Sequence, residues 1–392
     1  MFKMANRLSC GSDDNPTCEK RVMTEKEFPN IERFARMPLL DGPTAIQRLA
    51  RLAQALGPAL CGVNLYVKRD DVANIGGGGN KLRKLEFLIG EARAQGADTF
   101  ITVGGLQSNH ARLTAAASAR AGMACELVLT RQVPRCDVDY ECNGNILLDE
   151  LFGARVHTFP GSVNPLAFAE SRAEELRDEG RRVYVVGSGG SSPIGCLGYA
   201  VCAREIVEQS RGMHIDFRGV IIPNGSSGTH AGLAAGYAAM GLSPRCVRSY
   251  TVLAPGDLAR ATTLEKACAT LALLDGNAAI SPEEIDVDPH HRGDGYGIPT
   301  NEMLEAVRFL ARTEGLLLDP VYSGKAFGGL LSDIKNGFYH PGDNVLFIVT
   351  GGTPALFAYR EEILEKTEER RKKTEDRNQK SEYGTRAQSE HR

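Results

Sequence analysis

Short apolar runs alternate with longer stretches of helical periodicity along most of this 392-residue chain. The runs Leu65–Asp71, Thr99–Val103, Cys125–Thr130, Arg182–Val186, Gly219–Pro223, Ser249–Leu253 and Asn344–Val349 read as strands, several of them apolar enough to be buried on both faces. Between them the pattern predicts helices over Lys81–Gln95, Asn109–Ala121, Asn145–Leu151, Phe168–Glu179, Cys196–Gln209, Ala231–Met240 and Asn301–Glu314, the last closed by Gly315. Strands that alternate with helices indicate an α/β protein of open parallel sheet covered on both faces.

The two ends differ from this pattern. Residues 1–27 are polar with mixed charge and read as a loose leader without the apolar core of a signal peptide. Glu361–Lys380 carries fourteen charged residues in twenty, which reads as a solvated appendage lacking an apolar face. The net charge of −3 gives no reason to expect nucleic acid or an anionic membrane as partner. No apolar run reaches the roughly eighteen residues a membrane span needs. The ten cysteines show no CxxC spacing, so no metal site is read, and they are taken as buried or incidental thiols of a cytoplasmic protein.

Candidate chemistry gathers at the ends of the strands, where ligands bind in open α/β sheets. Gly78-Gly79-Asn80-Lys81 follows the first strand and ends a four-glycine run. Glycines there let backbone approach a ligand, and a lysine so placed can form a Schiff base with a carbonyl cofactor. Three further loops follow strands: Gly104–His110, Asn224–Thr229 and Thr350–Thr353. Gly225, Ser226, Ser227, Gly228 and Thr229 offer backbone N–H groups and hydroxyls ahead of a helix, a cradle for one phosphate. Neither a Walker A motif nor a Gly-x-Gly-x-x-Gly opening a helix after the first strand is present, which argues against a nucleotide-binding module. Ser108 and Asn109 stand at a strand end and helix start, where free N–H groups favour an anion, although either can serve simply as a helix cap. His110 is a weaker candidate, and His230 reads as a packed helix residue. Lys84 reads as a solvent-facing lysine.

Taken in order, these motifs resemble the pyridoxal-phosphate enzymes of the tryptophan synthase β-like fold (fold type II). Within them the chain is similar to the 1-aminocyclopropane-1-carboxylate deaminase/D-cysteine desulfhydrase family. The resemblance runs from Pro38 to Tyr359 and includes Val67–Asp71, Gly78–Lys81, Gln107–His110, Gly295–Pro299, Asp319–Lys325 and Thr350–Leu356. It implies two open parallel-sheet domains with the cofactor between them: 28–83 joined with 191–362 as the larger, 84–190 as the smaller. It further implies pyridoxal phosphate on Lys81, with Asn80 on its phenolic oxygen, the Gly225–Thr229 loop on its phosphate and Thr350 at its pyridine nitrogen. Ser108, Asn109, His110 and Ser323 would meet a small amino-acid substrate, and Tyr296 or Tyr322 would stack on the cofactor or supply a proton. A homodimer is the family's arrangement.

Ser323 and Thr350 bear on the reaction. The deaminases of the family carry glutamate and leucine there, whereas the desulfhydrases carry hydroxyl residues. This favours α,β-elimination from D-cysteine, with L-cysteate sulfo-lyase and 1-aminocyclopropane-1-carboxylate deaminase activities as alternatives. Departures from the family's pattern at Gly76–Gly79 and Gly187–Pro193 bear on the substrate's identity rather than on the cofactor.

Overall fold

The computed structural model of the chain describes residues 30–274 and 278–364; the expected leader and nearly all of the charged tail lie outside them. Among the described residues ten strands form two sheets: β1 (Ile46–Arg48), β2 (Asn64–Arg69), β3 (Thr99–Gly105), β4 (Ala124–Arg131), β5 (Arg155–Pro160), β6 (Val183–Val186), β7 (Phe217–Asn224), β8 (Val247–Thr251), β9 (Asp286–Asp288) and β10 (Asn344–Val349). The larger sheet runs β1-β2-β10-β7-β8-β9 and the smaller β5-β4-β3-β6. All pairings are parallel except β1 with β2. Strand β10, last in sequence, lies between β2 and β7, pairing Val345 with Leu65 on one side and with Gly219 on the other. That insertion brings Thr350 beside the loops that follow β2 and β7.

The four smaller-sheet strands fall within residues 99–186, inside the segment 84–190 expected to form a separate unit. Helix Lys81–Ala94 crosses the expected boundary at 83/84. It packs on both Pro193–Met213 and Asn109–Ala121, and so joins the two sheets mechanically.

The start of that helix is fixed by buried charge. Arg83 forms ion pairs with Asp70 at 2.8 Å and Glu205 at 2.8 Å, Lys68 meets Glu205 at 3.0 Å, and the Tyr199 hydroxyl donates to Asp70 at 2.6 Å. Burial alone would raise the Asp70 carboxyl, but Arg83, Lys68 and the Tyr199 hydroxyl together outweigh it and hold the group below the ordinary carboxylate range. Breaking one partner out of such a network typically costs 3–5 kcal/mol, so the turn bearing Lys81, two residues from Arg83, is held firmly.

Several expected elements grow in the structure. The helix expected from Cys196 begins at Pro193, where the Ser192 side chain accepts from Gly195 N. The helix expected from Ala231 begins at Gly228, so Thr229 and His230 sit in its first turn. No helix among the described residues is long and apolar enough to cross a membrane.

Candidate active site

A cavity of about 170 Å³ opens between the two sheets and is walled by loops from both. Lys81, Asn80, Gly225, Ser226, Ser227, Thr229, Tyr296, Tyr322 and Thr350 come from the larger-sheet side. Ser108, Asn109 and His110 face them from the smaller.

The glycine run places Lys81. Gly78 has φ +73°, and a Cβ there would lie 2.0 Å from the Asp71 carbonyl oxygen, so no other residue fits. Gly79 forms an antiparallel bridge with Gly351, Asn80 N donates to Thr350 O at 3.0 Å, and Arg112 Nη2 donates to Gly78 O at 2.9 Å. The Lys81 side chain then enters the cavity, where its remaining exposure lies. Burial lowers its ammonium to about 8, partly opposed by the negative charge of Asp319. A primary amine near neutrality is the nucleophile that carbonyl capture requires. Covalent capture of pyridoxal phosphate by the apoprotein is therefore expected to accelerate with rising pH and level off above about 8, because only the neutral amine attacks. Stopped-flow absorbance reads this directly, and a rate that does not change across that pH would refute it.

The phosphate cradle is built from more than the expected loop. Ser227 takes a left-handed φ of 67° before the twelve-residue helix Gly228–Ala239, leaving that helix's first N–H groups free at the cavity. Lys84, expected at the surface, is fully buried. Its ammonium donates to Gly189 O at 3.1 Å and Ser191 Oγ at 2.9 Å. Lys266 donates to Ser226 O at 2.9 Å. Among the described residues neither lysine has a carboxylate within ion-pairing distance. Burial depresses both, Lys84 well below the ordinary lysine value. A fully buried lysine and a half-buried one, each meeting only neutral oxygens, suit a site for a dianion. Gly228 does not line the cavity, but a Cβ there would lie 2.7 Å from Lys84 Nζ and 2.4 Å from Ser191 Oγ, so a side chain would push these groups out of place. On these observations the residues present fit pyridoxal phosphate, with Lys81 for its carbonyl and the Ser226–Thr229 turn with Lys84 for its phosphate.

The two histidines on the wall are neutral. Thr102 Oγ1 donates to Val186 O and therefore accepts from His110 Nε2, leaving His110 Nδ1 as a bare, unpartnered acceptor. Ser249 Oγ accepts from Asn224 Nδ2 and shares a hydrogen bond of 2.8 Å with His230 Nδ1, while His230 Nε2 has no partner among the described residues. Burial, then the charges of Lys81 and Lys84, holds His110 well below the usual histidine value, and burial alone takes His230 to about 3. Both are therefore neutral imidazoles, with one N–H each, near neutrality. His230 is packed as expected, 1% exposed in the first turn of helix Gly228–Ala239, and it also borders the cavity.

Ser108 caps helix Asn109–Ala121 by accepting from Ala111 N at 3.2 Å, and still lines the cavity. The Tyr296 and Tyr322 hydroxyls lie 2.7 Å apart, and burial raises both phenols, so they stay protonated. Ser323 requires a correction. Its side chain is fully buried away from the cavity, with Oγ donating to Asp319 Oδ2 at 2.7 Å and accepting from Asp319 N at 2.9 Å, so it is not placed to touch a substrate. It begins helix Ser323–Lys335, and its hydroxyl is consumed in anchoring the preceding turn.

Wall residues without a sequence signal are Gln132 and Leu253, whereas Ser188 falls in the Gly187–Pro193 segment singled out above. Lys84 falls on an expected helix and Lys266 on one the pattern does not announce, and which lysine is buried is decided only by the fold. Away from the site, Asp288, His291 and Asp333 gather as metal ligands might, but Arg248 already pairs with Asp288 and Asp333 at 2.8 Å each, standing where a cation would.

Residues 37–351 match the family model described as pyridoxal-phosphate dependent enzyme. The chain belongs to this family, has its tryptophan synthase β-like fold, and is an enzyme whose cofactor is pyridoxal phosphate. Over 335 residues it is 40% identical to the D-cysteine desulfhydrase of Serratia proteamaculans (strain 568), covering 85% of this chain and 98% of that one. The crystal structure of an ACC deaminase homologue superposes with a TM-score of 0.75 at 34% identity, covering 86% of this chain and 97% of the other. A pyridoxal 5'-phosphate-dependent aspartate racemase shares the fold at a TM-score of 0.53 and 17% identity, covering 79% of this chain and 90% of its own.

Proposed function

We propose that this enzyme catalyses α,β-elimination from D-cysteine, releasing hydrogen sulfide and, after hydrolysis of the aminoacrylate formed, pyruvate and ammonia. The observation that carries the reading is a hydroxyl residue, Thr350, on the wall of the cavity that Lys81 and the tyrosine pair also line, in a chain 40% identical to a D-cysteine desulfhydrase. When bound, the cofactor supplies an electron sink for negative charge developing at Cα. The rest falls to the chain's own groups. Ser108, Asn109 and the free N–H groups of helix Asn109–Ala121 orient the substrate carboxylate. The Lys81 amine removes the Cα proton, which its lowered basicity suits near neutral pH. The Tyr296–Tyr322 pair, protonated and hydrogen-bonded, gives a proton to the departing sulfur. Asn80, whose Nδ2 donates to Thr229 Oγ1 at 3.2 Å, holds the lysine turn against the phosphate turn.

With the cofactor bound, a hydroxyl such as that of Thr350 at the pyridine nitrogen would leave that nitrogen largely neutral. That weaker sink serves when a thiol leaves as soon as Cα is deprotonated, and serves poorly for opening a cyclopropane. The larger unit is 28–83 with 191–362 and the smaller 84–190, and the protein works as a cytoplasmic homodimer, as the family resemblance implies.

A substrate panel of D-cysteine, L-cysteine, β-chloro-D-alanine, L-cysteate and 1-aminocyclopropane-1-carboxylate tests the reading. Pyruvate with sulfide from D-cysteine and not from L-cysteine is the expected result. Rapid 2-oxobutyrate formation from the cyclopropane, with D-cysteine inert, would overturn it.

A further inference from the structure

We infer that Lys325 is a positioning residue for the loop that presents Tyr296 to the cavity, an inference that rests on the role given to the tyrosine pair above. Lys325 lies in helix Ser323–Lys335 and is 1% exposed. No carboxylate among the described residues lies within ion-pairing distance of its ammonium. Instead Nζ donates to Arg292 O at 2.6 Å and to Gly295 O at 2.9 Å. A buried cation spent on two carbonyls carries a desolvation penalty that leucine or methionine at the same place would avoid. Burial accordingly lowers the ammonium to about 8. The carbonyls it grips explain its presence.

Segment 292–297 forms neither helix nor strand, and Gly293, Gly295 and Gly297 take φ of +66°, +158° and +70°. A backbone of this kind has little conformational preference of its own, so its path is set by what holds it. Lys325 holds one side at Arg292 and Gly295. The Tyr359 hydroxyl holds the other, donating to Gly297 O at 2.8 Å. Tyr296 stands between the gripped carbonyls of Gly295 and Gly297, which aims its hydroxyl at Tyr322, 2.7 Å away. A charged donor shared by two carbonyls is a stronger clamp than a neutral one.

The test compares Lys325→Met and Lys325→Arg with the wild-type holoenzyme. Hydrogen exchange in segment 292–297 is expected to rise about tenfold in Lys325→Met, the scale of one lost hydrogen bond. Cofactor absorbance should be retained. Turnover of D-cysteine is expected to fall roughly ten- to a hundredfold in kcat with little change in KM. β-Chloro-D-alanine, whose chloride leaves without a proton, should be turned over nearly as before. Lys325→Arg, which keeps the charged donor, should restore most of the loss. Unchanged exchange in the segment would overturn the inference, as would equal losses with both substrates. Should the wild type prove inert towards both, the elimination reading fails, while the exchange measurement still decides the role of Lys325. If Lys325→Met does not accumulate as folded protein, Lys325→Gln, which keeps one donor head, is read in the same way.

Discussion

Replacing Lys81 by alanine is expected to abolish turnover, by roughly a thousandfold or more, and to leave no cofactor fixed to the protein by borohydride. Two functions are lost together: the amine that captures the carbonyl and the base beside Cα. The fold should survive. The Lys81 side chain ends in the cavity, and its folded-state value of about 8 lies below the ordinary lysine value of 10.5. The sign of this shift is informative. A lysine whose folded value is depressed opposes folding wherever it is charged in the unfolded chain, and the penalty is fully present below about pH 8 and fades as pH rises towards the unfolded value. Near neutrality the alanine apoprotein should therefore unfold at the same temperature as the wild type or a higher one. Thermal denaturation of both apoproteins, beside absorbance and turnover of the reconstituted forms, checks the two halves separately. Wild-type absorbance together with appreciable turnover in Lys81→Ala would remove Lys81 from the chemistry.

Much of the fold is legible in the sequence because the buried strands are short and apolar and the helices between them are periodic. Helices Asn109–Ala121, Asn145–Leu151 and Asn301–Glu314 and strand Asn344–Val349 fall where the pattern places them. Elements not read include strands β1, β5 and β9 and helices Ala50–Leu56, Val138–Cys142, Gly256–Leu274 and Ser323–Lys335. Strands β1 and β9 are three residues each, shorter than any period can announce. Helix Gly256–Leu274 carries threonines, which have weak helix propensity, and its apolar residues are not confined to one stripe, so neither signal is strong. The site divides in the same way. Loops at strand ends carry recognisable spacings, and the structure brings Lys81, Ser108, Thr229, Tyr296 and Thr350 to one cavity. Lys84 and Lys325 owe their roles to full burial, and half-buried Lys266 to its place at the phosphate loop, each without a counter-ion among the described residues, a property of the assembled fold that no local spacing encodes. Ser323 shows the converse: a hydroxyl in a motif position whose bonding capacity is already taken by Asp319.

Removing the Asp319 carboxylate is expected to destabilise the enzyme by about 3–5 kcal/mol and to lower kcat through displacement of Tyr322. Asp319 is fully buried between the two groups that matter most, the tyrosine pair and the lysine. Its Oδ1 accepts from Val321 N at 2.9 Å and Tyr322 N at 2.7 Å, and its Oδ2 from Ser323 N at 3.0 Å and Ser323 Oγ at 2.7 Å. These four donors close the turn that begins helix Ser323–Lys335 and fix the backbone from which the Tyr322 hydroxyl reaches Tyr296. In Asp319→Ala three backbone N–H groups lose their acceptor inside the protein, each worth about 1–3 kcal/mol. Asp319→Asn keeps one oxygen for Val321 N and Tyr322 N but turns an amide N–H₂ towards Ser323 N, so its loss should be intermediate. The charge matters separately from the hydrogen bonds. Asp319 raises the basicity of Lys81, so both variants should shift the pH dependence of cofactor capture downward, below about 8. Denaturant unfolding of the apoproteins gives the stability order, and capture rates against pH give the shift. Equal stability of Asp319→Ala and the wild type would show that the turn stands without its acceptor. An unmoved capture profile in Asp319→Asn would show that the Asp319 charge does not reach Lys81.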